Sequence, residues 1–184
     1  MLYGPIGQLA YVVRDIDASL RYWTQELSVG PFVLFRRVTL DPGYQYRGRP
    51  SLSPTLSVAL GYSGEMQIEL IEQHDDLPSP YREHLAAGRQ GFHHVGCNTT
   101  RSRYDTSRAE AAERKKSAVH EGSFMDGVVR FCYFDTDPDN RYGGMFYEIT
   151  DVLDADFAKT LYPELAASAR NWDGSNAIRE FGAG

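Results

Sequence analysis

The sequence predicts an α+β fold: one domain of two tandem β-α-β-β-β modules, followed by a C-terminal helix. Three observations predict it. Residues 66–72, Met-Gln-Ile-Glu-Leu-Ile-Glu, read almost as a copy of residues 145–151, Met-Phe-Tyr-Glu-Ile-Thr-Asp. Residues 6–12, Ile-Gly-Gln-Leu-Ala-Tyr-Val, align with residues 92–98, Phe-His-His-Val-Gly-Cys-Asn. Between the members of each pair the same order of strand-like and helix-like patterns recurs. Matching segments 86 and 79 residues apart point to an internal duplication.

The elements follow in order. A strand is expected at about 6–13. The next segment is helical, with Ile16, Leu20, Trp23 and Leu27 at helical spacing and Asp15 or Asp17 as its cap. Gly30-Pro31 ends that helix and hands over to a strand near 32–40. Residues 41–50, rich in Gly, Pro, Tyr and Arg, read as a long loop. Strands near 55–61 and 65–72 complete the first module, residues 5–75.

A linker at 76–90 contains Pro78, Pro80 and Gly88 and carries a short helix at about 81–87. The second module spans 91–152: a strand near 92–99, a helix near 104–120, and strands near 128–135 and 145–151. A fainter strand is expected around 118–124. Asp137-Pro138-Asp139-Asn140 makes the turn before the last strand, with Asp135 as its cap. Residues 153–184 hold the last helix, about 154–170, and a loose tail with Trp172.

Composition narrows the function classes. Hydrophobic content of 42% and charged content of 24% suit a soluble globular chain. A formal charge of −6 and the lack of a basic block argue against nucleic acid; Arg114-Lys115-Lys116 reads as a solvated helix face. No run approaches about 18 apolar residues, so no membrane span is expected. The start shows no signal-peptide pattern, and Cys97 and Cys132 read as small core residues, which points to a reducing, cytoplasmic setting.

The duplication places Gln8 on His94 and Glu69 on Glu148. A Gln, a His and two Glu form a ligand set for one divalent metal. Strand alternation puts Ala10 and Val12 on the face of Gln8, and Gly96 and Asn98 on the face of His94. Glu69 shares its face with Gln67 and Ile71, and Glu148 with Phe146 and Thr150. Leu9, Leu70, Val95 and Ile149 then point the other way, under the helices. A carboxylate in so apolar a strand is costly unless paired. His93 is expected on the opposite face from His94, as a structural residue. His74, His84 and His120 are expected to be exposed, in linker or helix-end positions.

These segments, together with Gly30-Pro31-Phe32 and Gly91-Phe92-His93-His94-Val95-Gly96, resemble the vicinal oxygen chelate superfamily of glyoxalase and bleomycin-resistance proteins. The Gly-Phe-His-His segment is most similar to the methylmalonyl-CoA epimerase and glyoxalase branch. The resemblance covers about residues 5–152. It implies a cupped mixed sheet around one divalent ion (zinc, nickel, cobalt, manganese or iron) held by Gln8, Glu69, His94 and Glu148. Many relatives have His where this chain has Gln8, a weaker ligand that binds through its amide oxygen. With one His among the four positions, the chain lacks the two-His, one-carboxylate set of the extradiol dioxygenases.

The resemblance further implies a metal-dependent isomerase, epimerase or lyase acting on a small carbonyl, hydroxy-carbonyl or acyl-thioester substrate through a metal-stabilised enolate or enediolate. Glu148 is the first candidate for the base and Glu69 the alternative. The competing class is a bleomycin-resistance-like protein that sequesters a ligand without catalysis. Tyr44, Tyr46, Tyr62, Phe146 and Trp172 are candidate pocket aromatics, and Arg47 and Arg49 candidate anion holders. The tail around Trp172 is expected over the cavity or at a dimer interface. Phe157, Leu161, Leu165 and Ala169 recur every four residues, a stripe that needs cover. A homodimer, each metal site built from one chain, is expected on that ground and from the superfamily.

Overall fold

Side chains alternate across a strand, and in this chain the alternation separates an apolar outer face from a polar-centred inner one. The computed structural model describes residues 2–139, 141 and 143–181. The first module contains β1 (Gln8–Val12), α1 (Ile16–Arg21), β2 (Phe32–Thr39), the short strands β3 (Gln45–Tyr46) and β4 (Arg49–Pro50), β5 (Thr55–Ser63) and β6 (Met66–Gln73). The linker carries α2 (Pro80–Ala86). The second module contains β7 (Gly91–Asn98), α3 (Arg101–Glu113), β8 (Ala118–Phe124), β9 (Val129–Asp135) and β10 (Phe146–Thr150). A 3-10 turn, Val152–Asp154, leads into α4 (Asp156–Arg170), and β11 (Ile178–Glu180) follows.

Local chemistry fixes the helix starts. The Asp15 carboxylate accepts from the Ala18 amide, Ser79 accepts from Arg82 with Pro80 in the first turn, and Thr100 accepts from Arg103. After α1 the backbone widens into a π-helical turn, Tyr22–Glu26, which leaves Leu27 exposed while Ile16 and Leu20 are buried.

One mixed sheet runs β11-β2-β5-β6-β1-β7-β10-β9-β8-β3-β4. β1 lies parallel to β6, β7 lies parallel to β10, and β1 and β7 pair antiparallel at the centre. The register confirms the duplication residue by residue: Ala10 stands opposite Glu69 as Gly96 stands opposite Glu148. Leu9, Leu70, Val95 and Ile149 face outward into two clusters, one under α1 with Ile16 and Leu20, the other under α3 with Tyr104 and Ala111. Val12, Ile71, Phe131 and Tyr133 face inward.

The loop 41–50 is not a simple loop. It crosses to the far edge, where Gln45 pairs with Glu121 and Tyr46 with His120 on β8. Asp41 holds the crossing: its carboxylate accepts from Ser123 Oγ at 2.8 Å and from the Asp126 and Gly127 amides at 3.1 and 2.8 Å. Burial works against this carboxylate, but those three donors outweigh it and hold its pKa below the usual range.

Four expectations are corrected. The second-module helix ends at Glu113, because Lys115 takes a left-handed φ of 55° and the chain turns into β8. His120 is therefore a buried strand residue, and His84 is buried as well; neither is solvent-facing. His93 is the extra residue of a bulge: Ala10 pairs with His94 and Tyr11 with Phe92, which leaves His93 unmatched. The bulge turns its ring to the inner side, 5.2 Å from Phe146 and 5.5 Å from Tyr81. The stripe on α4 is covered within the chain, Leu165 packing on Val33 and Leu60, so it gives no argument for a second copy.

Asp135 accepts from the Asp137 amide at 3.0 Å, as a turn cap does; Asn140 of that turn lies outside the described residues. Cys97 and Cys132 are buried and free, and the Arg114–Lys116 run is exposed. No helix among the described residues is long and apolar enough to cross a membrane.

The buried His120 makes stability pH-dependent. Burial, reinforced by the charge on His94, pushes its pKa down to about 3 from an ordinary 6.5. The unfolded chain thus takes up a proton at this residue that the folded one refuses. Its contribution is complete above pH 6.5 and is lost as pH falls toward 3. Thermal melts between pH 7 and 4 are expected to show a falling Tm, with a shallower slope in His120→Phe than in the parent. Parallel slopes would remove His120 from this account.

Candidate metal centre

The inner face converges on one point at the β1–β7 seam. Glu69, His94 and Glu148 each offer a ligand atom there, all within 4.8 Å of one another. His94 Nε2 lies 3.4 Å from Glu69 Oε2 and 3.3 Å from Glu148 Oε2. His94 is fully buried and Glu148 nearly so. Gln8, on the adjoining position of β1, is buried beside them. All four sequence-predicted ligands thus face inward, and all come from one chain.

The donor atoms look unfinished. Gln8 Oε1, Glu69 Oε2 and His94 Nε2 are buried without a hydrogen-bond partner among the described residues. Leaving such groups unmet costs about 1–3 kcal/mol each, and more where one is charged. The two carboxylates also repel. Burial raises the pKa of Glu69, the Glu148 charge raises it further, and His94 only partly offsets them. Burial opposes charge on His94, but the two carboxylates win and push its pKa up to about 9. A divalent cation would offset these penalties, so the residues fit one.

Neighbouring groups aim the ligands. Gln8 Nε2 donates to Gln67 Oε1 at 3.0 Å, which turns Gln8 Oε1 toward the centre. Asn98 Nδ2 donates to the same Gln67 oxygen, Gln67 Nε2 donates to Tyr62 Oη, and Thr150 Oγ1 donates to Asn98 Oδ1. Gly96 makes room: a Cβ there would stand 2.2 Å from Gln8 Oε1. His94 Nδ1 meets His93 Nδ1 at 2.9 Å. Burial, chiefly, holds the His93 pKa well below 6.5, so His93 is neutral and can accept the His94 Nδ1–H. That leaves the His94 Nε2 lone pair for a metal, the usual supporting arrangement around a ligating histidine.

The two halves of the centre have different walls. Across β10, β9 and β8 the register sets Glu148 beside Tyr133 and Tyr133 beside His120. The row is hydrogen-bonded: Tyr133 Oη meets Tyr81 Oη at 2.8 Å, Tyr81 Oη meets His120 Nε2 at 3.1 Å, and His120 Nδ1 meets Tyr44 Oη at 2.9 Å. Burial, with Glu148 and Glu69 nearby, raises the Tyr81 and Tyr133 pKa values far above 10, so both phenols stay protonated. In the first module the matching row is Glu69, Leu60, Val33, which is apolar beyond the carboxylate.

Above the centre lies a cavity of about 420 Å³, with Gln8, Glu69, Asn98, Glu148 and Thr150 in its lining. Its aromatic wall is not the expected one. Tyr44, Tyr46, Tyr62, Phe146 and Trp172 are absent from the lining; Phe35, Tyr81, Phe124, Phe131, Tyr133, Phe157, Tyr162 and Phe181 supply it. Arg47 pairs with Glu83 at 2.7 Å, and the cation in the lining is Arg37. Trp172 packs against Gly30, while the tail beyond it adds β11 to β2 and brings Phe181 over the cavity, 4.6 Å from the Phe35 ring. The Tyr133–Tyr81–His120 row escaped the sequence reading because it depends on β8 pairing; alternation in 118–124 is the signal that points to it.

No curated protein matches the chain in sequence. Solved structures share its fold. A hypothetical protein from Bacillus halodurans C-125 is 16% identical, with a TM-score of 0.54 over 79% of this chain and 92% of its own. Methylmalonyl-CoA epimerase from Mycobacterium tuberculosis is 15% identical, with a TM-score of 0.53 over 81% and 88%. A Streptomyces coelicolor methylmalonyl-CoA epimerase variant in complex with 2-nitronate-propionyl-CoA is also 15% identical, with a TM-score of 0.54 over 83% and 97%. The profile of the glyoxalase/bleomycin resistance protein/dioxygenase superfamily matches residues 7–133. With the paired modules and the inward-facing carboxylates, that match places the chain in this superfamily.

Proposed function

We propose that this protein is a metal-dependent isomerase, epimerase or lyase that removes a proton from a carbon beside a carbonyl. The observation that carries the reading is the set of buried donor atoms on Gln8, Glu69 and His94 that have no hydrogen-bond partner among the described residues, brought together from both modules. A simple binding protein gains nothing from so costly a cluster, whereas a Lewis-acid centre requires one. Gln8, Glu69, His94 and Glu148 would hold the ion. When bound, it supplies electrophilic polarisation of substrate oxygen.

The chain's own residues do the rest. Glu148 is the base in this reading. Its Oε2 borders the centre and its flank carries Tyr133, whose phenol can donate to the carboxylate or to a substrate oxygen. Tyr81 and neutral His120 orient that phenol, because His120 Nε2–H donating to Tyr81 lets Tyr81 donate to Tyr133 and frees the Tyr133 proton for the cavity. Glu69 faces the apolar wall and is better suited to holding the ion, or to acting on the opposite face of the carbon in an epimerase. The cavity walls exclude water around the reacting carbon.

Two measurements test this reading. The purified protein is expected to take up one divalent ion per chain. At 100 times its Kd the ion adds about 2.7 kcal/mol of stability, which in a chain of this size raises Tm by roughly 5–10 °C. His94→Ala is expected to weaken uptake at least tenfold while the fold survives, and Gly96→Ala to weaken it by displacing Gln8. Undiminished uptake in His94→Ala would remove His94 as a ligand.

The second measurement is exchange of solvent deuterium into hydroxy-ketones, hemithioacetals and acyl thioesters by the metal-loaded protein. Glu148→Gln is expected to cut exchange by about 10² or more. Tyr133→Phe is expected to cut it by roughly tenfold or more with metal content unchanged. Exchange unaffected by Glu148→Gln would move the base to Glu69.

A further inference from the structure

The cavity beside the metal centre has a chemical character that its ligands do not explain. Its volume of about 420 Å³ suits a molecule of modest size. Beyond the polar end at Gln8, Glu69 and Glu148, the first-module wall is aliphatic: Leu60 stands next to Glu69 in register, Val58 next to Ile71, and Leu56 next to Gln73. The rest of the lining includes aromatic side chains, Phe131 from β9 and, from the C-terminal segment, Phe157, Tyr162 and Phe181.

Those last three residues come from α4 and the chain just after β11, which close over the inner face. Leu165 pins α4 to Val33 and Leu60, and Phe181 stacks between Phe35 and Phe157, 4.6 and 5.8 Å away. Roughly one fifth of this chain lies outside its match to the Bacillus halodurans and Mycobacterium tuberculosis structures.

The rim is poor in positive charge. Arg37 is the one Arg or Lys in the cavity lining among the described residues. It stands four positions along β2 from Val33, which is itself two strands from Glu69. At about 4.8 Å between strands and about 3.3 Å per residue, its backbone lies roughly 14–16 Å from that of Glu69. Arg36 beside it is committed to Asp17 and Glu180 at 3.0 and 2.9 Å. A ligand carrying several phosphates would find no cluster of cations in this lining.

We infer that the substrate is a compact, largely apolar molecule with an adjacent pair of oxygen donors at one end and an alkyl or aryl body of about eight to ten carbons, not an ester of a nucleotide-bearing thiol. Gln8, Glu69, His94 and Glu148 would hold the ion that takes the oxygen pair, and the body would lie along the apolar lining that includes Leu60, Val58, Phe131 and Phe157. This assignment rests on the metal reading of the centre and adds the substrate class to it.

A chain-length series tests it. Cobalt(II)-loaded full-length protein is titrated with linear alkyl hydroxamates from acetohydroxamate to dodecanohydroxamate, followed by the visible spectrum of the metal and by calorimetry. Affinity is expected to rise by up to about threefold to fourfold per methylene, and to stop rising near eight to ten carbons as the cavity fills. Val58→Thr, nearly the same in volume but carrying a hydroxyl in the cavity lining, is expected to lower the gain in affinity per methylene. A flat series in the parent protein, with acetohydroxamate binding intact, overturns the apolar substrate class and leaves the metal reading standing. Tighter binding of propionyl-CoA than of octanohydroxamate overturns it as well. A protein that takes up no cobalt, zinc or nickel overturns both readings.

Discussion

Two carboxylates and an imidazole buried together at the seam of two apolar half-sheets are the constraint on which the rest depends. Charges taken out of water at such short range are tolerated only when something of opposite sign joins them. Without a metal, a proton on His94 is the partner the chain can provide, which is why both carboxylates drive that imidazole toward its charged form. A divalent ion would replace that proton, with Glu69, His94 and Glu148 as the residues placed to hold it. The surrounding features serve this exchange: Gly96 yields space to Gln8, Gln67 fixes the direction of the Gln8 amide, and neutral His93 takes the second His94 hydrogen.

The duplication explains why the cluster is symmetric and why its surroundings are not. β1 and β7 contribute Gln8 and His94, β6 and β10 contribute the two Glu residues, and the central antiparallel pairing makes them neighbours. Away from that axis the copies have diverged. The flank of Glu148 is a hydrogen-bonded row of phenols and a histidine, and the flank of Glu69 is Leu60 and Val33. One half of the cup is thus suited to proton traffic and the other to holding an apolar body.

Much of this was legible in the sequence because it follows from strand alternation and repetition. A period of two fixes which residues share a face, so the inward set Gln8, Glu69, His94 and Glu148 and the outward set Leu9, Leu70, Val95 and Ile149 follow without coordinates. What was not legible depends on contacts between distant segments or on single backbone angles. The left-handed Lys115 that ends α3 is not a glycine and carries no sequence mark, so His120 read as a helix end. The bulge at His93 reverses the face assigned by alternation. β11 is exposed at all three positions and shows no apolar pattern, yet it carries Phe181 to the cavity. The α4 stripe, too, bears on no second copy: periodicity shows that a stripe needs cover, not which surface provides it.

The crossing of residues 41–50 to the opposite edge has its own consequence. Asp41 binds the turn after β8, Gln45 and Tyr46 extend β8, and Tyr44 delivers its hydroxyl to His120, so the first module contributes to the second module's wall. The duplicated halves are therefore no longer interchangeable units that a cut in the linker would release. A fragment ending near residue 75 would carry a strap with nothing to clasp, and one beginning near residue 91 would lack both an edge strand and a partner for its buried histidine. The two halves are tied together at this strap, and loss of the first would expose the polar row of the second.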